Sequence, residues 1–544
     1  MSGLAITFYH LLSDNLPVSA AKTAIVDENL DVTYRELSDK TDRIADHLHL
    51  SGVRPGDRVI VQLRKSVTEV AAMFAVAKLG AVIVNVNSQW TIEQLHYVAR
   101  DSGAVCLVVE PRVAIRLAQG DLPDAILHVL VNGVAPEQDH FRRCDIPAMK
   151  GSASEVKRLS TDLAMIIYTS GSTGMPKGVM LTNGNLVAGA RSVTRYLGLG
   201  SDDRLLSVLP YSFDYGLNQL TTMMLVGGTV VHQPVPLPAE VIATMERQRV
   251  TGLAAVPPLW SQIVRVLMQR PRHFPALRRL TNSGGRISPN ILEQMPVVFP
   301  NTDIYLMYGL TEAFRSTYLP PFKFGAKKGS IGQAIPDAQV FVIKPGEGIA
   351  GPDEEGELVH RGPLVSLGYW RQPELTAQKI RPCPELFELI GNEPVVYSGD
   401  TVRMDADGDL WFIGRQDTMI KTSGFRISPD EVEDLVYRSD LVAEAVAFGM
   451  PDDDLGEIVH VAVTPLCGAL DEDHLIRHCR ATMPSYMVPR HFHEWPEAMP
   501  RTASGKIDRP TVIRRCKNGT SPVRVSVDDR HIGQTDHAKG EAVL

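Results

Sequence analysis

The chain has 544 residues, 44% hydrophobic and 22% charged, with a net charge of −8. That balance describes a globular protein of more than one domain and argues against nucleic acid as a main partner, because phosphate backbones are held by clustered Lys and Arg. No apolar run reaches the ~20 residues of a membrane span, the first basic residue is Lys22, and the six cysteines contain no C-x-x-C pair, so the reading is a cytoplasmic protein with reduced thiols.

Up to about residue 410, short apolar runs alternate with helical stretches. One apolar segment, Ala71–Val86, is broken by Lys78. Leu163–Tyr168, Leu205–Leu209, Thr229–His232 and Ile304–Tyr308 are short and apolar, and most end in Gly, Pro or polar residues. They predict buried strands of an α/β architecture, in which active groups lie on loops beyond strand ends. From Gln339 to Ile413 the texture changes. Val340–Ile343, Glu357–His360, Val395–Tyr397 and Leu410–Ile413 read as strands joined by turns, with Asp405–Asp409 as a hairpin tip where Gly408 takes a positive φ.

After Gly414 a compact α/β segment begins. Ser428-Pro-Asp-Glu431 is a capping box that opens a helix to about Tyr437, and Val442–Phe448 and Ile458–Thr464 read as strands. From about Asn518 the chain is polar and charged, which predicts a disordered tail.

Tyr168-Thr-Ser-Gly-Ser-Thr-Gly-Met-Pro-Lys-Gly178 follows a predicted strand directly. It is not a Walker A loop, which needs Ser or Thr immediately after the Lys; here Pro176 precedes Lys177 and Gly178 follows it. Its small residues let backbone N–H groups turn toward an anion, and Ser170, Ser172 and Thr173 add hydroxyl donors. The stretch fits either a pyrophosphate cradle or a mobile Gly-Ser turn. Further along come Asn282-Ser-Gly-Gly285, Tyr308-Gly-Leu-Thr-Glu312, Gly356-Glu-Leu with Gly362 and Gly368-Tyr369, Tyr397-Ser-Gly-Asp400, Gly414-Arg-Gln-Asp417, Lys421-Thr-Ser-Gly-Phe-Arg426 and Pro500-Arg-Thr-Ala-Ser-Gly-Lys506.

In this order and spacing the set closely resembles the motifs of the AMP-forming adenylating superfamily, which holds acyl-CoA synthetases, peptide-synthetase adenylation domains and beetle luciferases. The resemblance covers about residues 5–515. Its nearest-looking subgroup is a set of bacterial acyl-CoA ligases associated with the exosortase system. It implies an α/β fold with a large N-terminal domain over residues 1–414, built on parallel-type αβαβα sheets and including a β-rich subdomain at about 339–413. A hinge at 415–417 would lead to a small mobile α+β C-terminal domain over 418–516, with 517–544 as the disordered tail.

The reaction implied has two halves. A carboxylate attacks the α-phosphate of ATP and gives acyl-AMP and pyrophosphate; a thiol then attacks the acyl carbonyl and AMP leaves. Two anions meet in the first half, so the site needs a cation and oriented donors. The resemblance assigns Lys506 as that cation, Glu312 as a Mg²⁺ ligand and Thr311 as a phosphate donor. It assigns the nucleotide to Thr169, Ser170, Gly171, Ser172, Thr173, Gly174, Lys177, Gly284, Gly285, Tyr308 and Gly309, and its ribose to Asp400 and Arg415. Tyr308 could equally be ordinary core, and Asp400 and Arg415 a surface ion pair. Asp417 takes the hinge position, and Lys421, Ser423, Gly424 and Phe425 would line the tunnel of the thiol, which belongs to CoA or to the phosphopantetheine of a discrete carrier protein.

The substrate pocket departs from fatty and aryl ligases. Many of those place His near Phe213, whereas this chain has Ser-Phe-Asp, as amino-acid adenylation domains do. Asp214, Tyr215, Asn218, Ser283, Met307 and Arg315 are the candidate pocket residues. A buried Asp needs a partner, and two readings stay open. Either Asp214 and Arg315 face a polar substrate, a small carboxylic or amino acid, or they pair with each other around an uncharged pocket.

Overall fold

The computed structural model describes the chain apart from residues 1–4, 29, 121, 146–152, 170–175, 286, 288, 416–418, 428, 467, 496–498, 501–506, 519–522 and 527–544. Two large sheets form its body. In the first, of seven strands, Val82–Asn85 lies parallel to Arg58–Gln62 and to Leu163–Thr169, and Lys177–Thr182 closes the edge antiparallel. In the second, of nine, Arg204–Ser207, Gly252–Ala255, Arg279–Asn282 and Asp303–Tyr308 run parallel in succession, with Thr229–His232 on the other side of Arg204–Ser207. These strands are apolar at successive positions because helices cover both faces of a parallel sheet. The helix Val67–Lys78 is buried from Val67 to Val76, as an element apolar all round must be. Ala71–Val86 is thus the end of one core helix and the strand after it. Among the described residues no helix is long and apolar enough to cross a membrane, and Cys106, Cys144, Cys383 and Cys479 are buried thiols.

The segment from Gln339 to Arg415 forms an antiparallel sheet, in which Pro394–Met404 pairs with Leu410–Arg415. Gly408 has φ +80° at the hairpin tip. Asp405 ties the tip together. Its carboxylate accepts from the backbone N–H groups of Asp407 and Asp409 at 3.1 and 3.0 Å, from Lys327 Nζ at 2.7 Å and from Trp411 Nε1 at 2.8 Å. Lys323 Nζ sits 2.8 Å from the buried Asp409. The Asp405, Asp407 and Asp409 carboxylates could have grouped around a metal, but the two lysine ammonium groups lie on them instead and pin the segment after Pro320 that leads to Ser330.

Burial would raise the pKa of Asp405, but the hydrogen bonds from Lys327, Trp411 and the Asp409 N–H outweigh it and hold the carboxyl at about 2. A carboxyl held below its unfolded value stabilises the fold above that value and loses the effect as pH falls through the folded one. Asp405→Asn should therefore be less stable than the wild type at pH 7, and the gap should close between about pH 4 and pH 2 in denaturant melts.

In the small domain, Val442–Asp452 pairs antiparallel with Gly456–Pro465, and the short strands Ile420–Thr422 and Phe425–Ile427 form a hairpin at its edge. The helix Pro429–Tyr437 begins at the proline of the Ser-Pro-Asp-Glu pattern; Ser428, the cap residue, lies outside the described residues. The tail expectation needs a correction. The helix Arg509–Lys517 spans its proposed start, and Val523–Ser526 is a strand paired antiparallel with His491–Glu494. Its pairing places it at the edge of the sheet.

The two domains touch through Trp90 Nε1, which donates to Tyr486 Oη at 3.4 Å. Two exposed ion pairs, Arg438 with Glu93 and Arg265 with Asp454, also cross between them.

Candidate active site

Parallel strands end together, so the loops that follow them gather on one edge of the sheets. Thr169, Ser283 and the run Gly309–Thr311 follow or end the strands Leu163–Thr169, Arg279–Asn282 and Asp303–Tyr308, and all line one cavity of about 110 Å³. Phe213 and Asp214 enter it from the start of the helix Asp214–Val226. Gly424 and Phe425 enter it from the small domain, so the chamber has walls from both domains. A wider cleft of about 530 Å³ opens beside it, lined by Gly285, Tyr308, Ser330, Phe412 and Lys421, and Gly284 and Gly309 border both.

The nucleotide candidates divide between these spaces. Tyr308 is buried with its ring 6.5 Å from Phe412, and its hydroxyl donates to Asp400 at 2.5 Å. Asp400 stands directly opposite Arg415 across the antiparallel pair, though the Arg415 side chain lies outside the described residues. Gly284 has φ +83°, a conformation that favours glycine, and Asn282 Nδ2 donates to the carbonyl of Gly285 at 3.1 Å. Thr169 and Lys177 face each other where the hairpin around the Gly-Ser loop begins. Ser170, Gly171, Ser172, Thr173 and Gly174 lie outside the described residues, as do Asp417 and Lys506. Lys177 is buried.

Glu312 sits half-buried beside Thr311 and accepts from Tyr369 Oη through Oε1 at 2.5 Å. That hydrogen bond orients the carboxylate. Among the described residues no protein donor reaches its other oxygen, which leaves a hard oxygen ligand suited to Mg²⁺.

The pocket candidates split in two. Asp214, Ser283 and Arg315 line the shared chamber. Tyr215, Asn218 and Met307 line a smaller space of about 20 Å³ behind it. The Tyr215 hydroxyl is 2.6 Å from Thr281 Oγ1. Burial pushes its pKa up, against smaller opposing effects of that hydrogen bond and the Arg315 charge, so it remains a neutral phenol. Asp214 Oδ1 accepts from the backbone N–H of Tyr215 at 2.7 Å. Among the described residues Asp214 and Arg315 form no ion pair with each other. Arg315 instead lies 4.7 Å over the Tyr215 ring, a cation–π contact. Its neighbour Phe314 takes φ +54°, which costs a bulky residue about 1–3 kcal/mol and persists only when packing over-determines it. The packing here is a notch at Gly189, where an added Cβ would lie 2.4 Å from the Phe314 ring. Phe314 is fully buried in the core, and the next residue, Arg315, lines the chamber.

Several lining residues escaped the sequence reading. Tyr486, which stacks on the expected Phe425 with ring centroids 3.8 Å apart at 7°, is one, and Trp90, Asn87 and Glu431 complete that wall. Asn85 lines the chamber and donates to Glu69 at 3.1 Å. Burial raises the Glu69 carboxyl and lowers the nearby Lys65 ammonium, whose Nζ donates to Ser207 at 2.8 Å. Nothing in the chain near these residues announces them; their only local signal is polar character within apolar runs.

The family model described as "AMP-binding enzyme" matches residues 13–370, and that of the "AMP-binding enzyme C-terminal domain" matches residues 431–506. Feruloyl-CoA synthase of Amycolatopsis sp is 32% identical over 505 residues, which are 92% of this chain and 96% of that protein. Among solved structures, the amide bond synthetase McbA of Marinactinospora thermotolerans is 25% identical with a TM-score of 0.82, covering 93% of this chain and 99% of that one. The o-succinylbenzoate CoA synthetase of Bacillus subtilis in complex with its acyl-adenylate intermediate is also 25% identical, with a TM-score of 0.64 over 92% of this chain and 97% of that one. The chain belongs to the AMP-binding enzyme family, and with it to the AMP-forming ligases that use ATP to activate a carboxylic acid as an acyl-adenylate before passing the acyl group to a thiol.

Proposed function

We propose that this chain activates a small polar carboxylic acid with ATP and Mg²⁺ and transfers the acyl group to CoA. The observation that carries the reading is the shared chamber, where Thr311, Asp214 and Arg315 of the large domain meet Gly424 and Phe425 of the small one. One space then receives the acid from one side and the thiol from the other. The CoA synthase among its relatives supports the acceptor, and the polar lining together with a volume of about 110 Å³ supports a small acid, below the ~300–1,000 Å³ of sites for drug-sized ligands.

In the first half-reaction a carboxylate oxygen attacks the α-phosphorus, and the bond to the departing pyrophosphate breaks with its electron pair. Thr311 and the Gly-Ser loop, residues 170–174, donate to the phosphates. Lys506 bridges the carboxylate and the α-phosphate, where it offsets the repulsion of the two anions. Tyr308 and Asp400 hold the nucleoside, Tyr308 through its face and Asp400 through the ribose. Glu312 would hold Mg²⁺, which supplies charge neutralisation on phosphate oxygens when bound. In the second half the thiolate sulfur attacks the acyl carbon and the bond to AMP breaks. The small domain turns about Asp417 between the halves, and the position of Gly424 and Phe425 at the chamber supports reading the present arrangement as the one for thiol transfer.

A second reading, an amino-acid adenylation enzyme that loads a discrete carrier protein, is favoured by Asp214, whose carboxylate at the chamber wall suits an ammonium group. ATP–pyrophosphate exchange over a panel of carboxylic and amino acids tests both, followed by CoA against a phosphopantetheinylated carrier as acceptor. Exchange with a small acid and thioester formation with CoA are expected. Exchange confined to amino acids, with transfer only to the carrier, favours the second reading, and no exchange with any acid sinks both.

A further inference from the structure

We propose that the acid activated by this chain carries a second carboxylate, and that Arg315 receives it. The proposal rests on the ligase reading and narrows its substrate. Arg315 lines the chamber, is 1% exposed and is among the largest fully buried side chains. Its Nε and Nη2 are buried with no hydrogen-bond partner, and among the described residues no carboxylate pairs with it. A guanidinium stays charged at any pH the protein meets, and a buried charge without a partner is strongly unfavourable. The contact with the Tyr215 ring offsets part of that cost but gives the N–H groups no acceptor.

The edge left open identifies the missing partner. Nε and Nη2 form the side of the guanidinium that grips both oxygens of one carboxylate. The same edge of Arg143 binds the two oxygens of Asp145 at 3.0 and 2.7 Å, and that of Arg361 closes on one oxygen of Glu393 at 2.8 and 2.6 Å. Among the described residues Arg315 is the one arginine with both nitrogens of this edge buried and without an acceptor, and it lines the chamber. Unused donors call for a group that only accepts, which a carboxylate does. Asp214 does not supply it, since the two side chains form no ion pair. The turn at Phe314, wedged into the Gly189 notch, holds Arg315 there at a cost in backbone strain. That cost is expected where a side chain must be aimed.

The test is ATP–pyrophosphate exchange with matched probes: the straight-chain diacids from butanedioic to octanedioic acid, benzene-1,2-dicarboxylic acid, aspartate and glutamate. Each is compared with its monoamide and with the monoacid lacking the second group. The expected result is at least one diacid preferred over its own monoamide by about 10²-fold or more in kcat/KM. Arg315→Met should abolish that preference, with the loss falling on the diacid rather than on its monoamide, and Arg315→Lys should restore part of it. Removing a buried charge that has no partner should also raise the Tm of acid-free Arg315→Met by about 2 °C or more, whereas a purely structural arginine would give a lower Tm. A wild type that prefers neutral monoacids, or an Arg315→Met protein that keeps the diacid preference, overturns the proposal while the ligase reading stands. Failure of every acid, mono or di, in both proteins overturns the ligase reading itself, and this proposal with it.

Discussion

Lys506→Ala is expected to lower ATP–pyrophosphate exchange by about 10²-fold or more while still converting a supplied acyl-adenylate to thioester. The asymmetry follows from where charge must be managed. Adenylation brings a carboxylate up to a phosphate, two anions that repel at contact distance. Thiol transfer starts from an acyl-phosphate mixed anhydride, whose carbonyl is already activated and whose leaving group departs without a bridging lysine. Measuring both half-reactions on one preparation separates them. Equal loss in both would place Lys506 in folding or in shared binding and sink its assignment.

The converse substitution is Gly424→Ala, expected to lower thioester formation by about 10-fold or more while exchange stays within about threefold. Gly424 has φ +82°, and an added Cβ would lie 2.6 Å from Val256 Cγ1 and 3.0 Å from Val256 Cβ. The first effect strains the backbone by about 1 kcal/mol wherever the small domain sits. The second exists only while the small domain is against Val256, so it selects against the transfer arrangement. Val256→Ala in the same protein should recover part of the transfer rate, since contacting residues couple. Unimpaired transfer in Gly424→Ala would show that thiol transfer uses an arrangement other than this one.

The strands of both large sheets are legible in the sequence because helices bury them on both faces, which leaves continuous apolar runs such as Thr229–His232. The hairpin at Asp405–Asp409 is legible because Asp-Gly chemistry is local. The strand Val523–Ser526 was not, because four alternating residues in a polar segment become a strand only by pairing with His491–Glu494. Within the site, glycine-rich loops announce themselves as motifs, but their companions do not. Trp90 and Tyr486 meet across 396 positions of chain, and no local pattern carries a contact of that range. Whether Asp214 and Arg315 pair was undecidable from sequence for the same reason. Burial of both was foreseeable; the direction in which each side chain points depends on Phe314 and its notch.

The contact between Trp90 and Tyr486 carries a practical consequence. An indole N–H bonded to a phenol at the seam of two domains is a built-in optical gauge of how they sit. When the small domain turns away, the indole loses that partner and the shelter of the Phe425–Tyr486 stack, and its emission shifts toward the red of a wetter surrounding. The chain has five tryptophans, so the difference spectrum between wild type and Trp90→Phe isolates the signal. Stopped-flow mixing with ATP and acid, then with thiol, would time each swing of the domain without any attached dye.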